Sequence, residues 1–375
     1  LINTKKVMVV FGTRPEAIKM APVIRALRQK GSILCQVTVT AQHREMLDQV
    51  LELFKIVPDF DLNLMKQGQT LTDITTLALC ELGAVFQRER PDLVLVHGDT
   101  TTTFIAALAA FYAQIPVGHV EAGLRTGNKY SPFPEEMNRK LASVLADLHF
   151  APTETAKRNL LLEGVEQEKI FVTGNTVIDA LLATLQPEYR FLDPQIQTIL
   201  KQGGAARMIL VTTHRRENLG EPMRQIYQAL YSTLELFPDT YVIFPVHKNP
   251  EVRKVVSEVL GSHPRVKLVE PMDYEPFVNL MARSHLILTD SGGIQEEAPS
   301  LGVPVLVVRD TTERPEAVEA GTVSIVGTEY ANVFRELKRL LSDQSAHEQM
   351  ATASNPYGDG CAAERIVKII MGNNI

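Results

Sequence analysis

Three carboxylates draw notice because each follows a segment that can fix its direction. Asp99 closes the triplet His97-Gly98-Asp99, Glu121 closes His119-Val120-Glu121, and Glu135 follows the rigid approach Ser131-Pro132-Phe133-Pro134. Grouped carboxylates suit general acid–base chemistry, since mutual repulsion and unequal burial push their pKa values apart and leave one as acid and another as base. In each His-x-acid triplet the two-residue period of an extended chain predicts histidine and carboxylate on one side. Metal binding is a second reading of that pairing, although no His-x-x-x-His helix or third ligand accompanies it. Helix capping is a plainer reading of Asp99 and Glu121, and dipole-favoured acids at a helix start are the plainer reading of Glu135 and Glu136.

Two further segments could hold an anion. Gly12-Thr13-Arg14-Pro15-Glu16-Ala17-Ile18-Lys19 combines a glycine turn, a helix start and an arginine fork, and Ser291-Gly292-Gly293 opens another helix with Glu296 and Glu297 inside it. Backbone N–H groups at a helix start attract negative charge, and a carboxylate a turn and a half further on can accept from ribose hydroxyls. Capped turns without a ligand are the alternative for both. Neither segment matches G-x-x-x-x-G-K-[ST] or G-x-G-x-x-G, which disfavours P-loop hydrolysis and nicotinamide binding. Thr213-His214-Arg215-Arg216, His247-Lys248, Glu270-Pro271, Arg309 and Arg314 add polar groups after later apolar runs. Taken singly, Lys19, Lys248, Arg216 and Glu296 read as solvated.

The elements that must position these residues alternate in type. Apolar, β-branched runs at 7–11, 36–40, 93–97, 117–120 and 170–172, then 208–212, 241–246, 266–269, 286–289 and 303–308, read as strands. Amphipathic stretches between them read as helices, with 186–207 a variable stretch between two such series. Wholly apolar strands alternating with helices predict two doubly wound α/β domains, in which ligands sit at the carboxyl ends of strands. The length of 375 residues fits two domains.

Composition limits the rest. With 38 basic and 44 acidic residues the net charge is −6, so no global basic field draws nucleic acid or anionic lipid and any phosphate must be caught locally. No apolar run is long enough for a membrane span and the first residues lack a signal-peptide pattern, which predicts a cytoplasmic protein. Cys35, Cys80 and Cys361 lack Cys-x-x-Cys spacing and read as buried, reduced thiols.

Together the segments FGTRPEAIKMAP, AQHREML, VHGDTTTT, PVGHVEAGLRTG, SPFPEEMNR, TGNTVIDAL, HRRENLGEP, PVHKNP, TDSGGIQEEAPSLGVPVLVVRDTTERPE and NPYGDG resemble the bacterial non-hydrolysing UDP-N-acetylglucosamine 2-epimerases, in order and over nearly the whole chain. The resemblance implies two Rossmann-like domains of glycosyltransferase-B-like type with the active site in their cleft. It implies an N-terminal domain over 1–173, a UDP-binding domain over 174–357, and a C-terminal helix, 358–375, returning to the first. The implied reaction interconverts UDP-GlcNAc and UDP-ManNAc through UDP elimination to 2-acetamidoglucal and re-addition, in a homodimer without cofactor or catalytic metal.

By the same resemblance Asp99, Glu121 and Glu135 are the acid–base set, with the individual roles open, and His214 assists the leaving diphosphate. Arg14, Ser291, Gly292 and Gly293 match diphosphate contacts, Glu297 a ribose contact and Phe277 a residue beside uracil. Lys19, His247, Glu270 and Arg314 match further active-site positions. Gln42, Gln69, Glu135, Arg215 and His247 match contacts to a second, activating UDP-GlcNAc, whereas Glu45 and Gly68 depart from the Gln and Arg of some relatives. Other readings of the same residues are a glycosyltransferase of this architecture, a hydrolytic 2-epimerase, and a sugar-nucleotide-binding regulatory module.

Overall fold

The computed structural model describes residues 4–41, 44–64, 68–201, 207–312 and 314–372. The chain divides into two units, Leu1–Ala183 with Tyr357–Ile375, and Thr184–Pro356.

Among the described residues the first unit holds β1 (Lys5–Phe11), β2 (Ile33–Val39), β3 (Phe60–Asp61), β4 (Leu93–His97), β5 (Val117–Val120), β6 (Leu148–Ala151) and β7 (Ile170–Val172). They form one sheet in the order β3-β2-β1-β4-β5-β6-β7, parallel throughout. The second unit holds β8 (Arg207–Thr212), β9 (Thr240–Pro245), β10 (Val266–Val269), β11 (Leu286–Thr289), β12 (Val305–Val307) and β13 (Val323–Ile325), also parallel, in the order β10-β9-β8-β11-β12-β13. Strand order therefore reverses between β1 and β4 and between β8 and β11, and a ligand at such a point meets the loops that diverge from it.

The expected strands at 93–97, 117–120, 170–172, 266–269 and 286–289 lie where their apolar runs placed them. Their burial explains it: Leu93 to Val96 and Leu286 to Leu288 are wholly enclosed, as helices on both faces of a parallel sheet require. Helix Tyr330–Ser342 shows the matching pattern, burying Val333, Leu337, Leu340 and Leu341 along one stripe.

Several elements lie outside the expected set: β3, β6, β13 and helices Thr176–Thr184, Pro194–Lys201, Pro315–Glu319 and Gln344–Ala351. Helix Pro194–Lys201 occupies the stretch read as variable, with Asp193 Oδ1 accepting from the Gln195 N–H at 2.8 Å at its start. The expected domain boundary after residue 173 falls before helix Thr176–Thr184, which stays with the first unit up to Ala183. Its Ile178 and Leu181 are buried, and its Asp179 accepts from the N–H groups of Ala362 and Ala363 at 3.2 and 2.8 Å. Those two residues start helix Ala362–Gly372, whose far end receives a hydrogen bond from Lys5 Nζ at the Ile370 carbonyl, 3.2 Å. The cysteines also differ from expectation: Cys35 is buried, with burial pushing its thiol up to about 11, but Cys80 and Cys361 are exposed. Among the described residues no helix is long and apolar enough to cross a membrane.

Two histidines inside the first sheet make it sensitive to acid. His119 on β5 and His149 on β6 are cross-strand partners, both buried, and burial pushes their pKa values down to about 3 and about 4. A histidine kept neutral when folded binds its proton more readily when unfolded, so stability is complete above about pH 6.5 and declines as pH falls toward the folded value. At pH 5 the loss is about 2 kcal/mol for each, and melting of this unit is expected to drop by roughly 10 °C between pH 7 and 5. An unchanged Tm across that range would contradict this.

Candidate active site

The first unit brings its chemistry to the reversal between β1 and β4. The turn after β1 is closely packed: a Cβ on Gly12 would lie 2.2 Å from Thr40 Oγ1 and 2.6 Å from Thr102 Oγ1, so only glycine fits. The buried carboxylate of Glu16 accepts from the N–H groups of Gly12 and Thr13 at 3.1 and 2.8 Å, and from the hydroxyls of Thr100 and Thr103 at 2.8 and 3.2 Å. This corrects the expectation of free N–H donors, since an internal carboxyl group already occupies two of them. Burial pushes the Glu16 carboxyl up, against the pull of His97 and these donors. The Arg14 side chain, half-buried, has no hydrogen bond or ion pair among the described residues.

Lys19 and Glu121, widely separated in sequence, meet. Lys19 Nζ donates to Glu121 Oε1 and Oε2 at 2.8 and 2.6 Å, and both side chains are largely enclosed. His97 Nε2 lies 2.7 Å from Glu121 Oε2, off the line of a hydrogen bond. Burial alone would raise the Glu121 carboxyl, but Lys19 and His97 outweigh it and hold the group well below the ordinary range. Lys19 is therefore not a solvated side chain.

The triplets do not follow the expected period of two. Gly98 and Glu121 adopt left-handed backbone, φ 67° and 63°, so the extended geometry ends at His97 and Val120. Each histidine instead reaches the neighbouring triplet: His97 approaches Glu121, and His119 Nε2 lies 2.7 Å from the Gly98 carbonyl. A non-glycine residue held at positive φ is strained, and here the strained residue is itself half of a buried ion pair. Two residues on, Gly123 at φ 92° would place a Cβ 2.2 Å from the Ala156 carbonyl oxygen, pressing this loop onto helix Glu154–Leu162.

Asp99 follows β4, next to β5 in the sheet, with His97 paired to Val120. It is anchored by helix Glu135–Leu145: Arg139 donates to Asp99 Oδ2 through Nε and Nη2 at 3.0 and 2.6 Å, and Asn138 Nδ2 to the Asp99 carbonyl at 2.9 Å. Glu135 opens the same helix, half-buried and without a hydrogen bond or ion pair among the described residues. Its neighbour Glu136 is wholly buried and structural, accepting from the Thr126 and Gly127 N–H groups at 3.0 and 3.1 Å. Of the expected activator contacts, Gln42 lies outside the described residues, and Gln69 Nε2 donates to the Leu64 carbonyl at 2.9 Å. Gly68 sits in a turn at φ 78°, and Glu45 lies in helix Arg44–Leu53.

In the second unit the organising group is Asp290, quoted in its motif but not singled out by sequence reasoning. Wholly buried after β11, its Oδ2 accepts from the N–H groups of His214 and Arg215, each at 2.9 Å, across the reversal from β8. Its Oδ1 lies 3.4 Å from His214 Nδ1 and has no hydrogen bond. The exposed His214 ring stacks on His247 at 5.3 Å between centroids, and burial, then His214, lowers the His247 pKa.

Ser291 stands at the N-cap position of the short helix Gly292–Glu297, its hydroxyl making no capping hydrogen bond. Arg314 lies over Gly292, 3.4 Å from where a Cβ would be, and donates to Glu296 Oε1 at 2.8 Å. Glu296 is 2% exposed, not solvated as its position suggested. Gly293 has open space at its Cβ position. Glu297 accepts from the Tyr274 hydroxyl at 3.0 Å, and half-buried Phe277 sits on the same helix as Tyr274, Tyr274–Met281. Glu270 is 71% exposed and paired with Arg253 at 2.6 Å; Arg309 holds Glu217 at 3.2 Å. Lys248 and Arg216 are exposed, as expected of them singly. Among the described residues no group of three His, Cys, Asp or Glu side chains could hold a metal ion.

Comparison with known proteins gives this arrangement its context. The family profile described as UDP-N-acetylglucosamine 2-epimerase matches residues 25–371. A Bacillus subtilis (strain 168) protein named UDP-N-acetylglucosamine 2-epimerase is 58% identical over 366 residues, 98% of this chain and 95% of that one. The solved UDP-GlcNAc 2-epimerase of Neisseria meningitidis, bound to UDP-GlcNAc, is 53% identical with a TM-score of 0.85, covering 98% of this chain and all of that one. An S. aureus protein solved with UDP is 52% identical with a TM-score of 0.87, over 98% and 96%. With identity above half along almost its full length and the same pair of Rossmann-like sheets, of glycosyltransferase-B type, the chain belongs to the UDP-N-acetylglucosamine 2-epimerase family of isomerases.

Proposed function

We propose that this chain interconverts UDP-GlcNAc and UDP-ManNAc by inversion at C2, without hydrolysing the nucleotide sugar. The observation that carries the reading is the placement of Asp99 and Glu121 at the ends of neighbouring strands, beside the sheet's reversal point, with Glu121 kept ionised by Lys19 and His97. A C2–H beside an acetal carbon is barely acidic, so its removal requires simultaneous departure of UDP from C1. Elimination gives UDP and 2-acetamidoglucal; protonation of C2 from the opposite face with return of UDP completes the inversion. Two faces call for more than one proton-handling carboxylate, and Asp99, Glu121 and Glu135 supply that set. No catalytic metal or redox cofactor enters this scheme.

In this reading the second unit holds the nucleotide. Arg314, Ser291, Gly292 and Gly293 meet the diphosphate, His214 assists its departure, Glu297 meets the ribose and Phe277 the uracil; within the first unit, Arg14 is assigned to phosphate. Charged and dipolar donors placed where negative charge develops lower the barrier most. His247 and Glu270 line the same region. A second UDP-GlcNAc activates the enzyme through Gln42, Gln69, Glu135, Arg215 and His247, and the active form is a cytoplasmic homodimer. The relatives solved with UDP-GlcNAc and with UDP support the choice of ligands.

Incubation with UDP-GlcNAc in D₂O tests the proposal. Deuterium at C2 of intact UDP-ManNAc is expected; free ManNAc with UDP would mark a hydrolase, and undeuterated starting material would exclude C2 chemistry.

A further inference from the structure

Arg139 is not among the residues assigned to the reaction, yet it is among the most constrained side chains of the first unit. Its Nε and Nη2 both donate to one oxygen, Asp99 Oδ2, and its Nη1 donates to the wholly buried Glu136 at 3.2 Å. Glu136 in turn holds the 126–127 backbone on the segment following Glu121. Asn138, one residue earlier, fixes the Asp99 main chain, and the Glu135 side chain at the start of the same helix has no hydrogen bond or ion pair among the described residues. One helix thus presents a free carboxylate and clamps a second, leaving Asp99 Oδ1 as the oxygen without a hydrogen bond among the described residues.

A planar guanidinium already anchored at Glu136 loses little further freedom in holding Asp99, which a lysine ammonium on a flexible stem cannot match. A carboxylate serving a carbon acid must be aimed within a fraction of an ångström, since misplacement by about 1 Å can cost roughly 100-fold in rate.

We propose that Arg139 is a positioning residue for the epimerisation, acting through Asp99 by fixing which carboxylate oxygen faces the reaction and its distance from Glu135. The inference rests on the acid–base reading of Asp99 given above. Glu136 supports it as the anchor of the guanidinium.

The test is a double-mutant cycle between Arg139→Gln and Asp99→Asn, read as kcat, KM for UDP-GlcNAc and deuterium incorporation at C2. Arg139→Gln alone is expected to lower kcat and exchange by about 30- to 100-fold with KM within about threefold. Arg139→Lys should recover part of the loss. In the Asp99→Asn background the same Arg139→Gln change should cost less than about threefold, because a residue acting through Asp99 has nothing left to position. Were Arg139→Gln not to fold, Arg139→Lys carries the cycle, with a loss of about fivefold that again vanishes beside Asp99→Asn. Unimpaired kcat in either Arg139 variant, or losses that multiply in the double variant, would overturn the proposal while leaving the acid–base reading in place. Normal exchange in Asp99→Asn alone would instead overturn the reading on which it rests.

Discussion

Glu121→Gln is expected to cut C2 exchange and UDP-ManNAc formation by about 100- to 10,000-fold while leaving UDP affinity within about threefold. The amide fills the space of the carboxylate and can still accept from Lys19, so the geometry around φ 63° survives. What disappears is the capacity to take or return a proton. The nucleotide contacts proposed for the second unit do not involve this residue, which is why binding and chemistry should separate. Its pKa direction adds a constraint on pH. The carboxyl is depressed below 4.5, so it remains ionised as pH falls through the usual carboxylate range and loses charge only below it. A loss of rate centred near pH 6 therefore belongs to another group. NMR of C2 deuteration with calorimetry of UDP binding decides the matter: exchange within tenfold of the parent removes Glu121 from the chemistry.

Asp290→Asn should act in the opposite way, on stability and nucleotide affinity together. Its carboxylate joins the turn after β8 to the turn after β11 by accepting two backbone N–H groups from beneath. An asparagine can turn its oxygen to those donors, but it loses the charge that strengthens both bonds and directs an NH₂ toward His214. Charge-assisted bonds of this kind contribute roughly 1.5–3 kcal/mol each, so a loss of about 3 kcal/mol is expected, or a fall in Tm of roughly 10 °C for this unit. UDP affinity should fall at least about tenfold, because His214 and Ser291 ride on the two turns. Calorimetric melting with UDP titration measures both effects. A variant with parental Tm and UDP affinity would show that the turns hold their shape without Asp290.

Much of this was legible in the sequence because parallel strands declare themselves through unbroken apolar runs. Leu93 to Val96 and Leu286 to Leu288 could be little else, and their ends marked Asp99 and Ser291 for attention, as the end of the run Val117 to Val120 marked Glu121. β6 was hidden because Leu148-His149-Phe150-Ala151 has no β-branched residue and includes a histidine, whose burial is set by tertiary packing and not by its type. The roles of Glu16 and Asp290 were hidden for a related reason. Neither is singled out within its motif, and each is enclosed by donors from a neighbouring βα turn that only the sheet order brings near. Glu136 and Arg139 were passed over beside Glu135, because a helix start rich in acids looks alike whichever acid is buried.

The return of helix Ala362–Gly372 to the first unit also orders events during synthesis. Although most of the first unit precedes the second, its Asp179 must wait for the N–H groups of Ala362 and Ala363, so its fold closes only after the second unit has been made. The second unit, encoded in one uninterrupted stretch between the two parts of the first, has all of its residues before then. Domains fold as units as the chain lengthens, so of the two units the one whose residues come first is the last to be complete.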